Sequence, residues 1–391
     1  MQKSTTDPIY LDYAASAPLR PEALAAEAAY RSLRCAGANP NSLHTLGREA
    51  ARELDKARQT FARVLGGGFR PSDIIFTSGG TESNNLAVIG LAEGMRARNS
   101  KRTCVVLAAI EHDSVLDLAP VLRGRGFEVR IVRPRHDGTV GPDELRSVLD
   151  TSCALISVMA ANNETGVLMD IASLAKLAHD SGALFHTDAV QAFCRVPLDL
   201  ADVDAVSVAG HKIGAPVGTG VLAVRSRFPL KAQSFGGGQE AGKRAGTQDV
   251  CGAVTFAQVA DAVFHNMDTV RPLVAERANR LYERLCAPGT QIVPTTQAHI
   301  DDTRLPGLVS VMASHVDSET LVLRLDEAGF EVSAASACSS GSLDASHVLL
   351  AMGIPRDLAL GSLRISFDER VSDRELDLFA EALLNIVASA R

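Results

Sequence analysis

The sequence predicts an α/β fold built on a large, mostly parallel sheet, followed by a smaller α+β domain. The first observation is that short continuous apolar runs alternate with longer amphipathic runs from about residue 70 to 225. Continuous apolar strands separated by helices are typical of a parallel sheet covered on both faces. The second observation is that the spacing of strand-like and helical runs changes after residue 290. That change indicates a separate and smaller unit.

The strand and helix candidates can be placed in order along the chain. Seven runs predict the strands of the large sheet: 73–77, 103–110, 128–132, 154–159, 183–186, 205–208 and 220–224. Helical periodicity predicts helices at 46–64, 81–98, 142–149, 171–181, 253–264 and 269–285. The smaller unit alternates strands and helices at 308–312, 318–327, 330–332, 363–367 and 373–390.

This pattern divides the chain of 391 residues into three parts. We expect an N-terminal arm at 1–20 that packs with the small domain, a large domain at 21–265 and a small domain at 266–391. The length suits one large and one smaller domain.

Composition excludes several classes of function. The formal net charge of -7 argues against a broad basic surface and therefore against nucleic acid as the main partner. No apolar run approaches the roughly 20 residues of a membrane helix, and the N-terminus lacks the apolar core of a signal peptide. We expect a cytoplasmic protein. None of the seven cysteines forms a C-x-x-C pair, and we expect no metal site.

Lys212 is the first candidate for chemistry. It ends an apolar run and precedes a glycine-rich turn, residues 214–220. Partial burial lowers the pKa of an amine and favours a Schiff base with an aldehyde cofactor. A lysine that simply caps a strand would explain the same segment.

Polar residues follow the other predicted strands, and ligands of open parallel sheets bind beyond the carboxyl ends of the strands. The turn at Gly80 and Thr81 opens a helix and can bind phosphate. His112 can stack on an aromatic ring, and Asn163 can contact a ring oxygen. Asp188 can keep a pyridine nitrogen protonated. Each has an ordinary structural alternative, a helix cap or a turn, but together they predict a pyridoxal 5'-phosphate site.

Seven ordered motifs then carry a family resemblance. They read YLDYAA at 10–15, NPNSLH at 39–44, FTSGGTESNN at 76–85, NNETG at 162–166, GGGQE at 236–240, RAGT at 244–247 and SACSSGS at 336–342. The chain resembles cysteine desulfurases, which belong to the class V aminotransferase group of fold type I pyridoxal-phosphate enzymes. The resemblance covers the chain almost from end to end.

The resemblance implies a role for each residue. Lys212 would carry the cofactor, Asp188 would pair with the pyridine nitrogen and His112 would stack on the ring and act in catalysis. The remaining cofactor contacts implied are Gly80, Thr81, Asn163, Gln191, Ser207, His211 and, across a homodimer, Thr247. Ala209 replaces a serine that is frequent in the family, and Ser207, on the same strand face, is the expected substitute.

The substrate side follows in the same way. Arg364 matches the arginine that binds the substrate carboxylate, because a guanidinium offers two parallel N–H donors. Asn39 and Asn163 are expected to assist it. Cys338 matches the catalytic nucleophile, and its small, polar, glycine-containing surroundings are typical of a loop.

The implied reaction converts L-cysteine to L-alanine and leaves a persulfide on Cys338, which is passed to a sulfur-acceptor protein for iron–sulfur cluster assembly or thiolation. Two alternatives stay open at this stage. One is a related enzyme such as a selenocysteine lyase or an aminotransferase. The other is a non-catalytic protein that keeps the fold for protein contacts.

Overall fold

The computed structural model describes residues 7–334 and 344–390. Its helices are α1 (Pro21–Arg31), α2 (Thr45–Leu65), α3 (Gly80–Arg98), α4 (Asp113–Leu116), α5 (Leu118–Gly124), α6 (Pro142–Arg146), α7 (Ile171–Asp180), α8 (Val250–Leu285), α9 (Ser318–Glu327), α10 (His347–Ala351), α11 (Arg356–Ala359) and α12 (Asp373–Ser389). Its strands are β1 (Ile9–Tyr10), β2 (Ile74–Thr77), β3 (Cys104–Ala108), β4 (Glu128–Val132), β5 (Cys153–Ser157), β6 (Leu184–Asp188), β7 (Ala205–Ala209), β8 (Gly220–Val224), β9 (Ile292–Pro294), β10 (Leu308–Ala313), β11 (Phe330–Glu331), β12 (Ser333–Ala334) and β13 (Ser362–Ser366).

The large sheet has seven strands in the order β2-β8-β7-β6-β5-β3-β4. Strand β8 runs antiparallel to both of its neighbours, and every other pair in this sheet is parallel. The predicted mostly parallel sheet is therefore confirmed. Its inner strands are buried along their whole length because helices cover both faces.

A second sheet of four antiparallel strands, in the order β12-β13-β10-β9, forms the smaller unit. The N-terminal segment lies against this unit: β1 pairs in parallel with β11, and Asp12 forms a bridge with Ser366. The exact domain limits at 20 and 265 stay a prediction.

Helix α8 corrects one expectation. The sequence predicts two helices with a gap at 265–268, whereas the structure has one helix of 36 residues that continues through Pro272. The first half packs Phe256 and Ala260 into the core of the large sheet. The second half packs Ala278 and Leu281 into the core of the small sheet. Burial at both ends outweighs the local cost of an interior proline.

Within the described residues, no helix has the length and apolar character needed to span a membrane, and no group of His, Cys, Asp and Glu has the arrangement of a metal site.

Candidate active site

A cavity of about 300 Å³ opens at the carboxyl ends of strands β6 and β7, where the large sheet meets β13. Strand order explains this position, because the carboxyl ends of parallel strands converge at one edge of the sheet. Nine of the residues predicted from the sequence line it: Gly80, Thr81, His112, Asn163, Asp188, Gln191, His211, Lys212 and Arg364.

Lys212 closes a single 3-10 turn that follows β7. Its Nζ donates hydrogen bonds to the carbonyl oxygens of Ala14 and Ala15, at 2.7 and 2.8 Å. Gly210 makes this turn possible, because a Cβ there would lie 2.2 Å from the Thr219 hydroxyl oxygen. The N-terminal segment, at the far end of the sequence, therefore helps to orient the amine.

Asp188 ends β6 and is 6% exposed. Its Oδ2 accepts a hydrogen bond of 2.6 Å from Asn84 Nδ2, and its Oδ1 accepts one of 2.9 Å from the backbone N–H of Val190. Asn84 lies on α3 and also donates to the Ser114 hydroxyl at 2.8 Å. These two donors fix the plane of the carboxylate at the edge of the cavity.

Glu111 is a fully buried carboxyl close enough to Asp188 for their charges to interact. Its Oε1 accepts a hydrogen bond of 2.6 Å from the backbone N–H of Met159, and its Oε2 has no hydrogen-bond partner among the described residues. Burial, together with the charge of Asp188, raises the pKa of Glu111 well above its usual range. Burial without a partner for Oε2 among the described residues therefore disfavours the charged form of Glu111.

A cradle of glycines surrounds the start of α3. A Cβ on Gly80 would lie 2.8 Å from Val190 Cγ2, and a Cβ on Gly220 would lie 2.6 Å from the Cα of Gly79. Only glycine fits at such distances, and the first N–H groups of α3 stay open to an anion. Thr81 adds a hydroxyl to this end of the cavity.

Two imidazoles line the cavity. His112 caps α4, and its Nδ1 accepts a hydrogen bond of 3.0 Å from the backbone N–H of Ser114. A neutral His112 ring therefore carries its proton on Nε2. Burial, then the charges of Lys212 and Arg195, lower the pKa of His211 to about 4. His211 is thus neutral at physiological pH.

Arg364 reaches the cavity from β13 and is 2% exposed. Its Nη2 donates to Asp12 Oδ1 at 2.8 Å, and its Nη1 donates to the carbonyl oxygen of Asn163 at 3.0 Å. Gln191 Nε2 donates to the carbonyl of Ala14 at 2.9 Å. The small sheet, the large sheet and the N-terminal segment each hold part of this wall.

The structure does not bring every predicted residue into the cavity. Ser207 is a correction: it is fully buried, and its hydroxyl lies 2.9 Å from His186 Nε2, so it is committed to the strand interior. Asn39 and Thr247 are exposed and do not line the cavity. Cys338 lies outside the described residues.

Other residues of this wall have no counterpart in the sequence prediction. The carbonyls of Ala14 and Ala15 belong to the backbone, so no residue type in the sequence identifies them. Asn84 follows Gly80 by one helical turn, so helical spacing could have placed it on the same face.

Comparisons with known proteins show which family this chain resembles. The family model for class-V aminotransferases matches residues 9–379. A protein of Mycobacterium tuberculosis named IscS-like cysteine desulfurase is 38% identical over 387 residues, covering 98% of this chain and 97% of its own. One from Dictyoglomus turgidum, named cysteine desulfurase IscS, is 35% identical and covers 98% of this chain and 95% of its own.

Solved structures give the same result. A structure described as a NifS-like protein superposes with a TM-score of 0.86 at 30% identity, covering 98% of this chain and 100% of its own. A NifS-like protein from Rickettsia africae superposes with a TM-score of 0.84 at 28% identity, covering 97% of this chain and 99% of its own. The fold, the cavity and these likenesses together establish that the chain belongs to the class-V aminotransferase family.

Proposed function

We propose that this protein is a pyridoxal-phosphate-dependent cysteine desulfurase, which converts L-cysteine to L-alanine and transfers the sulfur to one of its own cysteines. The observation that carries the proposal is the single cavity lined by Lys212, Asp188, His112 and Arg364. Relatives that match along nearly the whole chain are named cysteine desulfurases, which supports the same reaction.

The residues present fit the cofactor. The glycine cradle, with Thr81 and His211, would hold its phosphate, and Asp188 would hold a proton on its ring nitrogen. His112 would lie against the ring, and Asn163 and Gln191 are proposed for the ring-hydroxyl side. When bound, pyridoxal phosphate supplies an aldehyde for the amine and an electron-accepting ring that stabilises negative charge at the substrate Cα.

The chain's own groups then divide the remaining work. The Lys212 amine, released from the carbonyls of Ala14 and Ala15, moves the proton of the substrate Cα. Arg364 binds the substrate carboxylate through its two terminal nitrogens, which Asp12 and Asn163 keep in place. Burial of Arg364 strengthens that contact, because little water competes for the guanidinium.

We propose Cys338 as the sulfur acceptor within the enzyme. Strand β12 pairs Ser333 with Arg364 and Ala334 with Leu363. Cys338 follows Ala334 by four residues, which an extended chain spans in at most about 14 Å. The Cys338 thiolate attacks the substrate sulfur, so the new S–S bond forms as the Cβ–S bond of cysteine breaks. The three-carbon fragment keeps the electron pair, takes up a proton and leaves as alanine.

The experiment is to compare Cys338→Ser with Cys251→Ser, a control at a partly buried thiol of α8. We expect Cys338→Ser to keep the bound chromophore and to lose alanine formation from cysteine, measured by amino-acid analysis. The control should keep both properties.

Two outcomes separate the parts of the proposal. Alanine formation at full rate by Cys338→Ser would reject the nucleophile and leave the reaction standing. Amino-group transfer to a keto acid by the unmodified enzyme, without alanine release from cysteine, would reject the desulfurase and favour an aminotransferase.

The product persulfide implies an acceptor protein. We infer that Cys338 passes its sulfur to a scaffold or sulfur-carrier protein. Trapping the persulfidated enzyme in a lysate and identifying the chain joined to Cys338 tests this step.

A further inference from the structure

A second cavity, of about 450 Å³, opens at the edge of the large sheet opposite the candidate active site. The end of α3, the end of α7, the start of β6 and the segment after β8 form its walls. Nothing in the proposed reaction uses this region. We call it the basic pocket, and its charged lining residues are Arg98, Arg102, His179 and Arg227.

The basic pocket is lined by positively charged side chains, whereas the whole chain has a negative net charge. The formal net charge of the protein is -7, yet no Asp or Glu among the described residues lines this pocket. Three guanidinium groups and an imidazole therefore share one concave surface. Such a concentration of one sign of charge in a cleft focuses the electrostatic field and attracts counter-ions.

Arg102 is fixed before any ligand arrives. Its Nη1 donates to the carbonyl oxygens of Cys153 and Ser181, each at 2.8 Å. Gly182 has a φ of +76° and makes room for this side chain, because a Cβ there would lie 2.1 Å from Arg102 Nη2. A guanidinium held in place in this way loses little conformational freedom on binding.

The other cations are also oriented by the fold. The Arg227 guanidinium lies 4.7 Å from the centre of the Phe228 ring, and Arg98 Nη2 donates to the carbonyl of Arg227 at 3.1 Å. His179 Nε2 lies 2.8 Å from Oδ2 of the buried Asp204. That hydrogen bond raises the pKa of His179, against the effect of burial, and favours its charged form.

Asp204 does not neutralise this group of charges. Its Oδ2 is shared between His179 and the backbone N–H of Phe185, and its Oδ1 lies 4.0 Å from Arg227 Nη2. Asp202 also acts on His179, but it lies 4.0 Å from Lys176 Nζ as well. Two carboxylates therefore stand near three guanidinium groups and an imidazole. Met95, Leu184 and Phe228 add an apolar surface to the same cavity.

We propose that the basic pocket binds an anion that carries adjacent phosphate groups. Several guanidinium forks suit the oxygens of such a chain, since each offers parallel N–H donors. The volume lies within the range of about 300 to 1,000 Å³ that is usual for small-molecule sites. The apolar surface beside the arginines would accept the organic part of a nucleotide, so inorganic pyrophosphate and a nucleoside triphosphate share the chemistry and differ at that surface.

The test uses the full-length protein loaded with its cofactor, so that the phosphate cradle of the active site is already filled. Binding of inorganic pyrophosphate and of ATP is measured by titration calorimetry at low salt. The double variant R98Q/R227Q removes two exposed cations of the pocket, and R123Q removes an exposed arginine of α5 that does not line it. Hydrogen bonds to charged groups contribute enough that we expect Kd to rise at least about tenfold in R98Q/R227Q. R123Q should leave Kd unchanged.

Each outcome decides the proposal. Tighter binding of ATP than of pyrophosphate supports a nucleotide read by the apolar surface, and equal binding supports a phosphate chain alone. Absence of binding by both probes overturns the proposal. So does binding that R98Q/R227Q leaves unchanged. Alanine formation at the normal rate by R98Q/R227Q shows that any loss of binding is local to the basic pocket.

Discussion

At the scale of single residues, position along a strand was the most informative signal. Asp188 ends β6, and His112 and Lys212 follow β3 and β7. They meet in one cavity because these strands run parallel in the same sheet. Contacts between residues far apart in the sequence could not be predicted in this way. The carbonyls of Ala14 and Ala15 that accept from Lys212 could not be predicted, since any residue type supplies a backbone carbonyl.

Asn84 gives a test of the hydrogen bond that holds the Asp188 carboxylate. In Asn84→Asp, a second carboxylate would replace the amide that now donates to Asp188 at 2.6 Å. Two carboxylates at that separation share a proton, so Asp188 loses negative charge. We expect retention of pyridoxal phosphate to weaken at least about tenfold, measured from the absorbance that remains after dialysis. Asn266→Asp adds the same charge at an exposed position of α8 and should retain the cofactor normally. Equal retention by both variants would contradict this prediction.

Cys194 tests a local backbone constraint. It is buried and has a φ of +58°, in the left-handed region that costs an ordinary residue about 1 kcal/mol or more. Glycine avoids that cost and alanine does not. We therefore expect Cys194→Gly to be more stable than Cys194→Ala by about 1 kcal/mol in urea unfolding, although alanine is the better residue elsewhere. The opposite order would show that the backbone relaxes at this turn.

At the scale of elements, the strands of the large sheet were predicted to within a few residues of their observed bounds. Their apolar runs are continuous because both faces are buried. The sequence prediction wrongly divided α8 into two helices, because Pro272 and the polar residues near 266–272 are typical of a helix end. The wrong placement of Ser207 has a different cause. Its strand face was read correctly, but its hydroxyl is taken up by His186 on the neighbouring strand.

The burial of His186 beside Ser207 predicts that the stability of the fold depends on pH. His186 is fully buried between the hydroxyls of Ser157 and Ser207, and burial lowers its pKa from 6.5 to about 3. Between these values the unfolded chain binds a proton that the folded chain does not. Stability should therefore fall as pH falls through that window, by at most about 1.4 kcal/mol per pH unit.

His186→Gln removes the titrating group and keeps the ability to form hydrogen bonds. The measurement compares urea unfolding of both proteins at about pH 5 and about pH 7. We expect the unmodified protein to lose more stability on acidification than the variant does. An identical loss in both would assign the acid sensitivity to other groups.

At the scale of the whole molecule, charged contacts that the sequence did not reveal join the segment before α1 to the segment after β13. Arg20, just before α1, donates to Asp368 at 2.9 Å and to Glu369 at 2.6 Å, both of which follow β13. Such pairs join residues nearly 350 positions apart, and no local pattern predicts them. The overall division into a larger and a smaller sheet was predictable, because it depends on the changed spacing after residue 290.

The proposed homodimer is the remaining expectation at this scale. Asn41 Nδ2 donates to Gln248 Oε1 at 2.8 Å, so the exposed segments that carry Asn39 and Thr247 lie side by side. Two large apolar side chains are also exposed here. Leu43, at 91%, lies in the motif at 39–44, and Phe235, at 88%, directly precedes the motif at 236–240. This arrangement supports Thr247 as a contact to the phosphate bound by a second subunit.

Mixed dimers test that contact. Thr247→Asp would repel a phosphate in the partner's site, while Lys212→Ala disables the site of its own subunit. If Thr247 acts across the interface, a dimer of one Lys212→Ala and one Thr247→Asp chain keeps one complete site and about half of the normal activity. If Thr247 acts within its own chain, the mixed dimer should show no more activity than the Thr247→Asp protein.

The cavity lies where the two cores meet, with Lys212 held by the N-terminal segment and Arg364 supplied by the small sheet. No single part of the chain has all of its walls, so a partly folded molecule offers no complete pocket. A ligand that binds only the finished arrangement stabilises it, by about 2.7 kcal/mol at a concentration of 100 times Kd. Binding of the proposed coenzyme would therefore act as a check on assembly, because only correctly folded chains would gain this stabilisation.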